Sequence, residues 1–336
     1  MEPKNTHFYY SFLNAEEKKL FNSVCLQLCR KQPEIRIPAA LPSTKKIILS
    51  VLKDCPEFYY VDNTRIQFVS GTGGTEIRMR YTKNLEEIRM IDQRLEQISS
   101  RFLSEIYRRR LNCRETVRYV HDFILRNTEY DYESAEKEEL SGDVSNICGV
   151  FCNQRAVCKG ISLAAKWLLD RVEIPSGLME GRVPEEKYHT ASEPPDRQNN
   201  HAWNIVKINH CWSYMDVTMD MGAGQKDSTC ISYDYFLRSE ANMSKYLQFD
   251  SPGVFCDREM YSYFVQNKVI FAREEVLLKF IHYCKQKRIR RLYFQVEGGL
   301  AMRPPDEIRR MISRCIFSGY QWRYNPHLKI YDFELL

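Results

Sequence analysis

The chain has 336 residues, 43% of them hydrophobic, and a formal net charge of +5. This composition supports an ordinary globular core, and the length predicts two or three domains. There is no run of about 18 apolar residues, which excludes a membrane-spanning helix. The mild charge and the lack of an aromatic-interleaved basic motif argue against nucleic-acid binding.

The amino terminus shows no signal-peptide pattern, and the 12 cysteines have no regular spacing and no Cys-x-x-Cys pair. Irregularly spaced thiols are typical of a reducing compartment rather than of a disulfide framework. We therefore expect a cytoplasmic protein with free cysteines.

Residues 1–84 predict a small α+β domain. Asn14 is placed to cap a helix, residues 33–42 form a connector, and Ser43 is placed to begin a second helix that ends at Lys53. Residues 59–61, 65–69 and 77–81 are strand-like. The glycine-rich residues 70–75 lack the Gly-Lys-Ser/Thr of a phosphate loop, which favours a hairpin turn.

Residues 85–265 predict the core domain. An apolar stripe at helical spacing predicts one helix from Leu85 to Leu111, and Asn112 with Glu115 predicts a capped restart. His121 lies on this second helix, where we expect a structural histidine.

The chemistry is concentrated between Gly149 and Gly222. Ile161, Ala165 and Leu168 recur at helical spacing, so a helix begins at or near Cys158. The first turn of a helix presents unpaired N–H groups and a dipole that favours negative charge. A thiol there becomes a usable thiolate, and the same N–H groups can stabilise an oxyanion.

A hairpin places two further residues. Residues 201–208 and 211–218 are strand-like, and the two-residue connection Asn209-His210 predicts a tight turn. The resulting register pairs Trp203 with Asp216, which makes His201 and Asp216 diagonal neighbours on one face, within about 7 Å. Cys158, His201 and Asp216 then fit a nucleophile, a base and an orienting acid.

Several motifs together resemble those of the transglutaminase-like superfamily, in the form found in many bacterial proteins. The motifs are Tyr119-Val-His-Asp122, Asn127-Thr-Glu-Tyr-Asp-Tyr132, Cys158-Lys-Gly-Ile-Ser162, His201-Ala-Trp-Asn204 and Asp216-Val-Thr-Met-Asp220. They cover residues 113–222 well and the flanks only loosely.

The resemblance implies an α+β fold with a papain-like core, in which the helix that bears the cysteine packs on an antiparallel sheet. It also implies a triad of Cys158, His201 and Asp216. Two residues depart from the family pattern. Met219 stands where similar sequences often carry Trp, and Lys159 stands where an acidic residue is frequent. Both flank the triad and bear on substrate preference.

Further site candidates flank the triad. Asn153 and Gln154 precede the nucleophile and are candidates for an oxyanion-binding amide, and Trp203 shares the face of His201. Cys148 and Cys152 with Cys211 or Cys230 do not have the spacing of common zinc sites, so we expect no metal. No acidic loop has calcium-ligand spacing, and no cofactor is expected.

Residues 183–200 are polar and lack periodicity, and two alternatives stay open for them: a lid over the site or a surface insertion. Residues 266–336 predict a C-terminal α+β domain, with helices over 274–287 and 305–317, a strand over 291–296, and one or two strands over 322–333.

These observations predict acyl transfer at an amide carbonyl of a protein or peptide substrate. Water needs no dedicated pocket, which favours hydrolysis by a peptidase or amidase over amine transfer. The alternatives are deglycosylation of Asn-linked glycoproteins and a non-enzymatic protein-binding module that retains the fold. A buried thiol or a broken triad would indicate the module.

Overall fold

The computed structural model describes residues 6–32, 34–37, 43–71, 74–136, 142–184, 200–222, 230–316 and 319–336. The helices in these ranges are α1 (Phe8–Ser11), α2 (Ala15–Cys29), α3 (Thr44–Asp54), α4 (Leu85–Arg109), α5 (Cys113–Asn127), α6 (Tyr132–Ala135), α7 (Ile147–Phe151), α8 (Cys158–Arg171), α9 (Val217–Gly222), α10 (Glu240–Met243), α11 (Tyr263–Gln266), α12 (Glu274–Gln286), α13 (Gly298–Ala301) and α14 (Pro305–Ser313).

The strands belong to four sheets. They are β1 (Glu34–Ile37), β2 (Gln67–Gly71), β3 (Gly74–Arg78), β4 (Glu129–Tyr130), β5 (Arg155–Ala156), β6 (Ser176–Gly181), β7 (His201–Ile208), β8 (Cys211–Met215), β9 (Ile270–Phe271), β10 (Arg291–Val296), β11 (Tyr320–Asn325) and β12 (Ile330–Leu335). The mixture of helices and sheets confirms the predicted α+β class.

Capping boxes begin the long helices. Asn84 accepts hydrogen bonds from the first turn of α4 while the Glu87 side chain returns to the Asn84 N–H, and Asn112 and Glu115 do the same for α5. Each box satisfies N–H groups that the helix leaves unpaired. The predicted start of α4 and the predicted restart at α5 are therefore confirmed.

The amino-terminal region differs from its prediction in two places. Residues 59–61 do not form a strand, because Pro56–Phe58 is a 3₁₀ turn and Tyr60 packs inward with its hydroxyl donating to the carbonyl of Leu28. The predicted connector at 33–42 contains β1, which pairs with β3. A strand of four residues that depends on a distant partner has little local signal.

The central layer consists of α8 packed on the antiparallel sheet β6-β7-β8. The predicted hairpin register is confirmed, since Ile208 pairs with Cys211 and Asn204 with Met215. The second strand is shorter than predicted: it ends at Met215, and α9 begins at Val217. Asp216 therefore lies at a junction between strand and helix.

The carboxy-terminal sheet has the order β11-β12-β10-β9, with β9 parallel to β10. The strand β10 occupies the predicted residues, and α12 ends one residue before its predicted end. The sequence analysis missed the two-residue strand β9.

The proposed lid at 183–200 falls mostly on residues 185–199, which lie outside the described residues. Over the ranges that the structure does describe, none of the helices has the length and apolar character needed to cross a membrane.

Candidate active site

Cys158 is the first residue of α8, as predicted. Val157 precedes it in extended conformation and makes no side-chain capping bond, so no side chain from the N-cap competes for the N–H groups of the first turn. Gly160 lets this turn approach the 142–146 segment, because a Cβ there would lie 2.4 Å from the carbonyl oxygen of Val144. The nucleophile candidate is therefore held in a closely packed helix start.

Two buried side chains join α8 to β7. The Ser162 hydroxyl donates to the carbonyl of Ala202 over 3.1 Å, and the Asn204 amide donates to the carbonyl of Ser162 over 2.9 Å. Both side chains are almost fully buried. These bonds hold the helix that carries Cys158 against the strand that begins with His201.

His201 and Asp216 form a short hydrogen bond, with 2.7 Å between Nε2 of His201 and Oδ2 of Asp216. The other oxygen of Asp216 accepts from the backbone N–H of Met219 in the first turn of α9, over 3.0 Å. The N–H of Asp216 donates to the carbonyl of Tyr235 over 3.1 Å. The carboxylate of Asp216 is therefore held by α9, which begins where the second strand of the hairpin was predicted to continue.

The electrostatics of His201 favour its charged form. Burial on its own lowers the pKa of His201, but the charge of Asp216, the hydrogen bond to it and a hydrogen bond with the Cys158 thiol together raise the pKa to about 10. Because Asp216 occupies Nε2, Nδ1 is the ring nitrogen left for Cys158. The arrangement can hold an imidazolium beside the sulfur of Cys158.

Aromatic side chains surround the His–Asp pair. The Trp203 ring stacks on His201, with centroids 5.8 Å apart, and the Tyr246 hydroxyl lies 3.4 Å from Oδ2 of Asp216. Tyr246 in turn contacts the edge of Tyr235. Neither Tyr246 nor Tyr235 was predicted to lie at the site; their signal in the sequence is the density of Tyr and Phe between 233 and 265.

The three site residues are shielded from solvent. Cys158 is 6% exposed, His201 is 7% exposed and Asp216 is fully buried. A thiol and an imidazole in such surroundings interact more strongly than they would in water.

The remaining site candidates occupy two different environments. Asn153 and Gln154 are exposed in the turn between α7 and β5, and Gln154 has a positive φ of 56°. Its carbonyl accepts from the N–H of Glu129. Trp203 is fully buried, and its indole N–H has no hydrogen-bond partner among the residues that the structure describes.

His121 is a second buried histidine held by carboxylates. Its Nδ1 lies 3.0 Å from Asp122 and its Nε2 lies 3.1 Å from Asp220, while its ring stacks on Tyr233. Burial lowers its pKa, but the hydrogen bonds to the two carboxylates outweigh this and raise it. The hydrogen bond to Asp220 connects α5 with α9, and a structural role for His121 stays a prediction.

The cysteines considered for a zinc site have other contacts. Cys148 is buried. Its hydrogen bond to Cys152 and the charge of Arg94 lower the pKa of the Cys152 thiol to about 7, whereas burial acts in the opposite direction. The thiol of Cys211 contacts the sulfur of Met260, and Cys230 contacts Glu334. Among the residues described, no three His, Cys, Asp or Glu side chains are grouped to hold a metal.

Residues 100–217, roughly a third of the chain, match the family model described as "Transglutaminase-like superfamily". That segment contains Cys158, His201 and Asp216. This part of the chain is therefore a transglutaminase-like domain, and the resemblance carried by the motifs is confirmed. The superfamily is typically a Cys-His-Asp enzyme fold.

Two solved structures are distantly similar. One is described as "Crystal structure of a TGase", with 16% identity, a TM-score of 0.33 and coverage of 60% of this chain and 55% of that chain. The other is a "Putative Cysteine Protease" from Cytophaga hutchinsonii, with 16% identity, a TM-score of 0.28 and coverage of 46% of this chain and 61% of that chain.

This chain thus spans less than two thirds of the length of both. No curated protein matches it.

Proposed function

We propose that this protein is an acyl-transfer enzyme in which the Cys158 thiolate attacks the amide carbonyl of a protein or peptide substrate. The observation that carries the proposal is the 2.7 Å bond between His201 and Asp216, together with the raised pKa of His201, to which Cys158 at the start of α8 contributes. A nucleophile, a base and a group that orients the base are the parts that acyl transfer requires.

The first half of the reaction forms a thioester. Sγ of Cys158 bonds to the carbonyl carbon, and the negative charge moves to the oxygen, which the first N–H groups of α8 can stabilise. The imidazolium of His201 gives its proton to the departing amine as the C–N bond breaks. Asp216 holds the ring in place through Nε2 and stabilises its charge.

The second half releases the acyl group. Neutral His201 takes a proton from water as the oxygen bonds to the thioester carbon, and the carboxylic acid leaves while the thiol is regenerated. A primary amine in place of water gives transamidation. We favour hydrolysis, because water needs no binding pocket of its own.

Asn153 and Gln154 remain candidates for a side-chain donor to the oxyanion. They lie four and three residues before the N-cap of α8, and both are exposed. An exposed amide is free to turn toward a bound substrate. Trp203 has a different proposed role: it packs on the ring of His201 and limits how far the ring can rotate.

One observation favours a second function. The thiol of Cys158 is only 6% exposed, and a buried thiol is what a non-enzymatic protein-binding module would retain. A module of this kind keeps the fold and binds a partner without forming a thioester.

Turnover in heavy-oxygen water with a primary amine present separates these functions. A peptide pool is incubated with the wild type, with Cys158→Ala and with Cys152→Ala, a control for removal of a nearby thiol. Hydrolysis places heavy oxygen in a new carboxylate, and transamidation adds the mass of the amine. Products that appear with the wild type and Cys152→Ala but not with Cys158→Ala support the enzyme. If Cys158→Ala forms the same products as the wild type, the acyl-transfer proposal is contradicted.

A further inference from the structure

A cavity of about 350 Å³ lies beside the nucleophile helix. Its walls come from α3, the Pro56–Phe58 turn, α8 and β6, and they include Leu49, Leu52, Leu163 and Leu178. A cavity of this size holds an amino-acid side chain with part of its backbone. Cys158 and His201 do not line it, so it is a neighbour of the site rather than the site itself.

Two lysines in this cavity share one carboxylate. Glu180 lies 2.6 Å from the ammonium of Lys53 and 3.7 Å from that of Lys159. All three side chains are about one quarter exposed, which leaves them accessible from the cavity yet partly desolvated. Two positive charges against one negative charge leave one positive charge in excess.

The other charged residue of the cavity wall does not cancel this excess. Asp62 pairs with Arg65 at 3.8 Å, and it also accepts hydrogen bonds from the backbone and the hydroxyl of Thr64. Among the described residues, the cavity therefore has mainly apolar walls and one ammonium charge near Glu180 that no carboxylate balances.

Lys159 on α8 and Glu180 on β6 lie close to triad residues in the chain or across the sheet. Lys159 follows Cys158 directly on α8. Glu180 pairs across the sheet with Ala202, the residue after His201, so the side chains of Glu180 and His201 lie on opposite faces of the sheet. Consecutive Cα atoms are 3.8 Å apart. Lys159 and Leu163 share a helix face turned about a third of a circle from Cys158. A substrate that reacts at Cys158 can place a neighbouring side chain in the cavity.

We propose that this cavity is a specificity pocket for a carboxylate on the substrate, with Lys159 as its main contact and Lys53 as its support. The proposal rests on the proposed function, since it concerns the substrate of the same site. It also gives a physical role to a departure from the family pattern, in which an acidic residue is frequent where Lys159 stands. The carboxylate belongs either to an Asp or Glu side chain or to the C-terminus of a peptide.

Matched covalent probes test this pocket. Acetylated dipeptidyl acyloxymethyl ketones carry Glu, Gln or Lys at either of the two positions before the ketone, and labelling of Cys158 is followed by mass spectrometry. We expect the Glu probe to label the wild type about fivefold faster than the Gln probe, in line with a partly exposed ion pair. Lys159→Met and Lys53→Met should reduce this preference, and Lys159→Glu should shift it toward the Lys probe.

Lys279→Glu is the control, because it makes the same charge reversal at an exposed position of α12. It should leave the preference for Glu unchanged. The pocket proposal would be contradicted if the Glu and Gln probes labelled Cys158 of the wild type at equal rates. It would also be contradicted if the Lys159→Glu variant still reacted faster with the Glu probe.

Reversible binding separates failure of the pocket from failure of the enzyme. Peptide amides with Glu or Gln, and a peptide with a free C-terminal carboxylate, are titrated into the full chain while the methyl signals of Leu163 and Leu178 are observed by NMR. We expect the anionic peptides to bind about fivefold more tightly than the neutral one. The stronger of the two anions identifies the source of the carboxylate.

If these peptides bind with that preference while no probe labels Cys158, the pocket stands and the acyl-transfer proposal fails. If Cys158 is labelled but Glu and Gln peptides bind equally, the pocket fails and the enzyme stands.

Discussion

Asp216 serves His201 and a helix at the same time: Oδ2 lies 2.7 Å from Nε2 of His201, and Oδ1 accepts the N–H of Met219 over 3.0 Å. A carboxylate held by the helix backbone has little freedom to turn away from the imidazole. The position of the ring is therefore set by the transition from β8 to α9.

Replacement of Asp216 by Asn removes the charge and keeps the shape of the side chain. We expect the pKa of His201 to fall and the alkylation rate of Cys158 at pH 7 to drop by about 10²-fold or more, because the imidazolium loses the charge that stabilises it. Asp122→Asn is the matched control, since it alters the other His–Asp contact, at His121. A rate that is equally low in both variants would indicate a general loss of structure instead.

The protonation of His201 should persist into alkaline solution. A histidine ordinarily loses its proton near pH 6.5, whereas burial opposed by Asp216 and Cys158 leaves the pKa of His201 at about 10. We predict that at least one of the seven histidines stays charged at pH 8 by nitrogen NMR, and that the signal of His201 is absent from His201→Gln. His121 also has a raised pKa, so the assignment depends on that variant.

The raised pKa of His201 makes the free energy of unfolding depend on pH. A group with a raised pKa in the folded state contributes stability that is complete below its unfolded pKa and is lost as the pH rises through its folded pKa. In a Cys158→Ala background, where no thiolate releases a compensating proton, we expect the free energy of unfolding to fall as the pH rises above about 6.5. The fall should end below pH 10, because the contribution of Cys158 to the raised pKa of His201 is absent from this variant. In the double variant Cys158→Ala/His201→Gln, the free energy of unfolding should not show this decrease with pH. If it decreases equally in both variants, the raised pKa of His201 is contradicted.

Ser162 and Asn204 should matter for both stability and reactivity. Ser162→Ala removes one buried hydrogen bond and should lower the free energy of unfolding by about 1 kcal/mol, whereas Asn204→Ala removes the buried amide that donates to the carbonyls of Ser162 and Gly177 and should lower it by about 1–3 kcal/mol. Denaturant titrations measure both effects, with exposed Ser244→Ala as control. Both variants should also slow Cys158 alkylation; an unchanged rate would show that these bonds do not align the site.

A buried charge joins the predicted core to the predicted C-terminal domain. Asp234 is fully buried and accepts from both terminal nitrogens of Arg323, at 2.6 Å and 3.1 Å. We propose that the regions on either side of residue 265 unfold as one unit. Arg323→Ala leaves the Asp234 charge without its cation and should cost about 3–5 kcal/mol, while exposed Arg314→Ala should cost little. Two separate unfolding transitions in the wild type would contradict this coupling.

The start of α8 at Cys158 and the register of β7 with β8 could be predicted, because both depend on neighbouring residues in the sequence. Helical spacing of apolar residues marked the helix, and Asn209-His210 marked the turn. The diagonal relationship of His201 and Asp216 follows from that register. The chemistry of the site thus has a strong local signal.

The end of β8 could not be predicted in the same way. Residues 216–218 continue the strand-like pattern, yet the backbone of Asp216 bonds to Tyr235 and the chain turns into α9. Tyr246, 30 residues away, supplies the hydroxyl near Asp216. Contacts between residues far apart in sequence decided these features, as they did for β1 and β9.

The central claim is that Cys158 and His201 act as one pair, and site-resolved alkylation by iodoacetamide tests it most directly. The rate at each of the 12 cysteines is measured by mass spectrometry from pH 5 to 9 in the wild type and in His201→Ala. We predict that Cys158 reacts faster than the others well below the ordinary thiol pKa of about 8.5, and that His201→Ala abolishes this advantage.

Cys152 provides an internal reference, because its pKa of about 7 arises from its contact with Cys148 and does not involve His201. Its rate should be the same in both proteins. If Cys158 reacts no faster than the other cysteines, or keeps its advantage in His201→Ala, the proposed catalytic pair is contradicted.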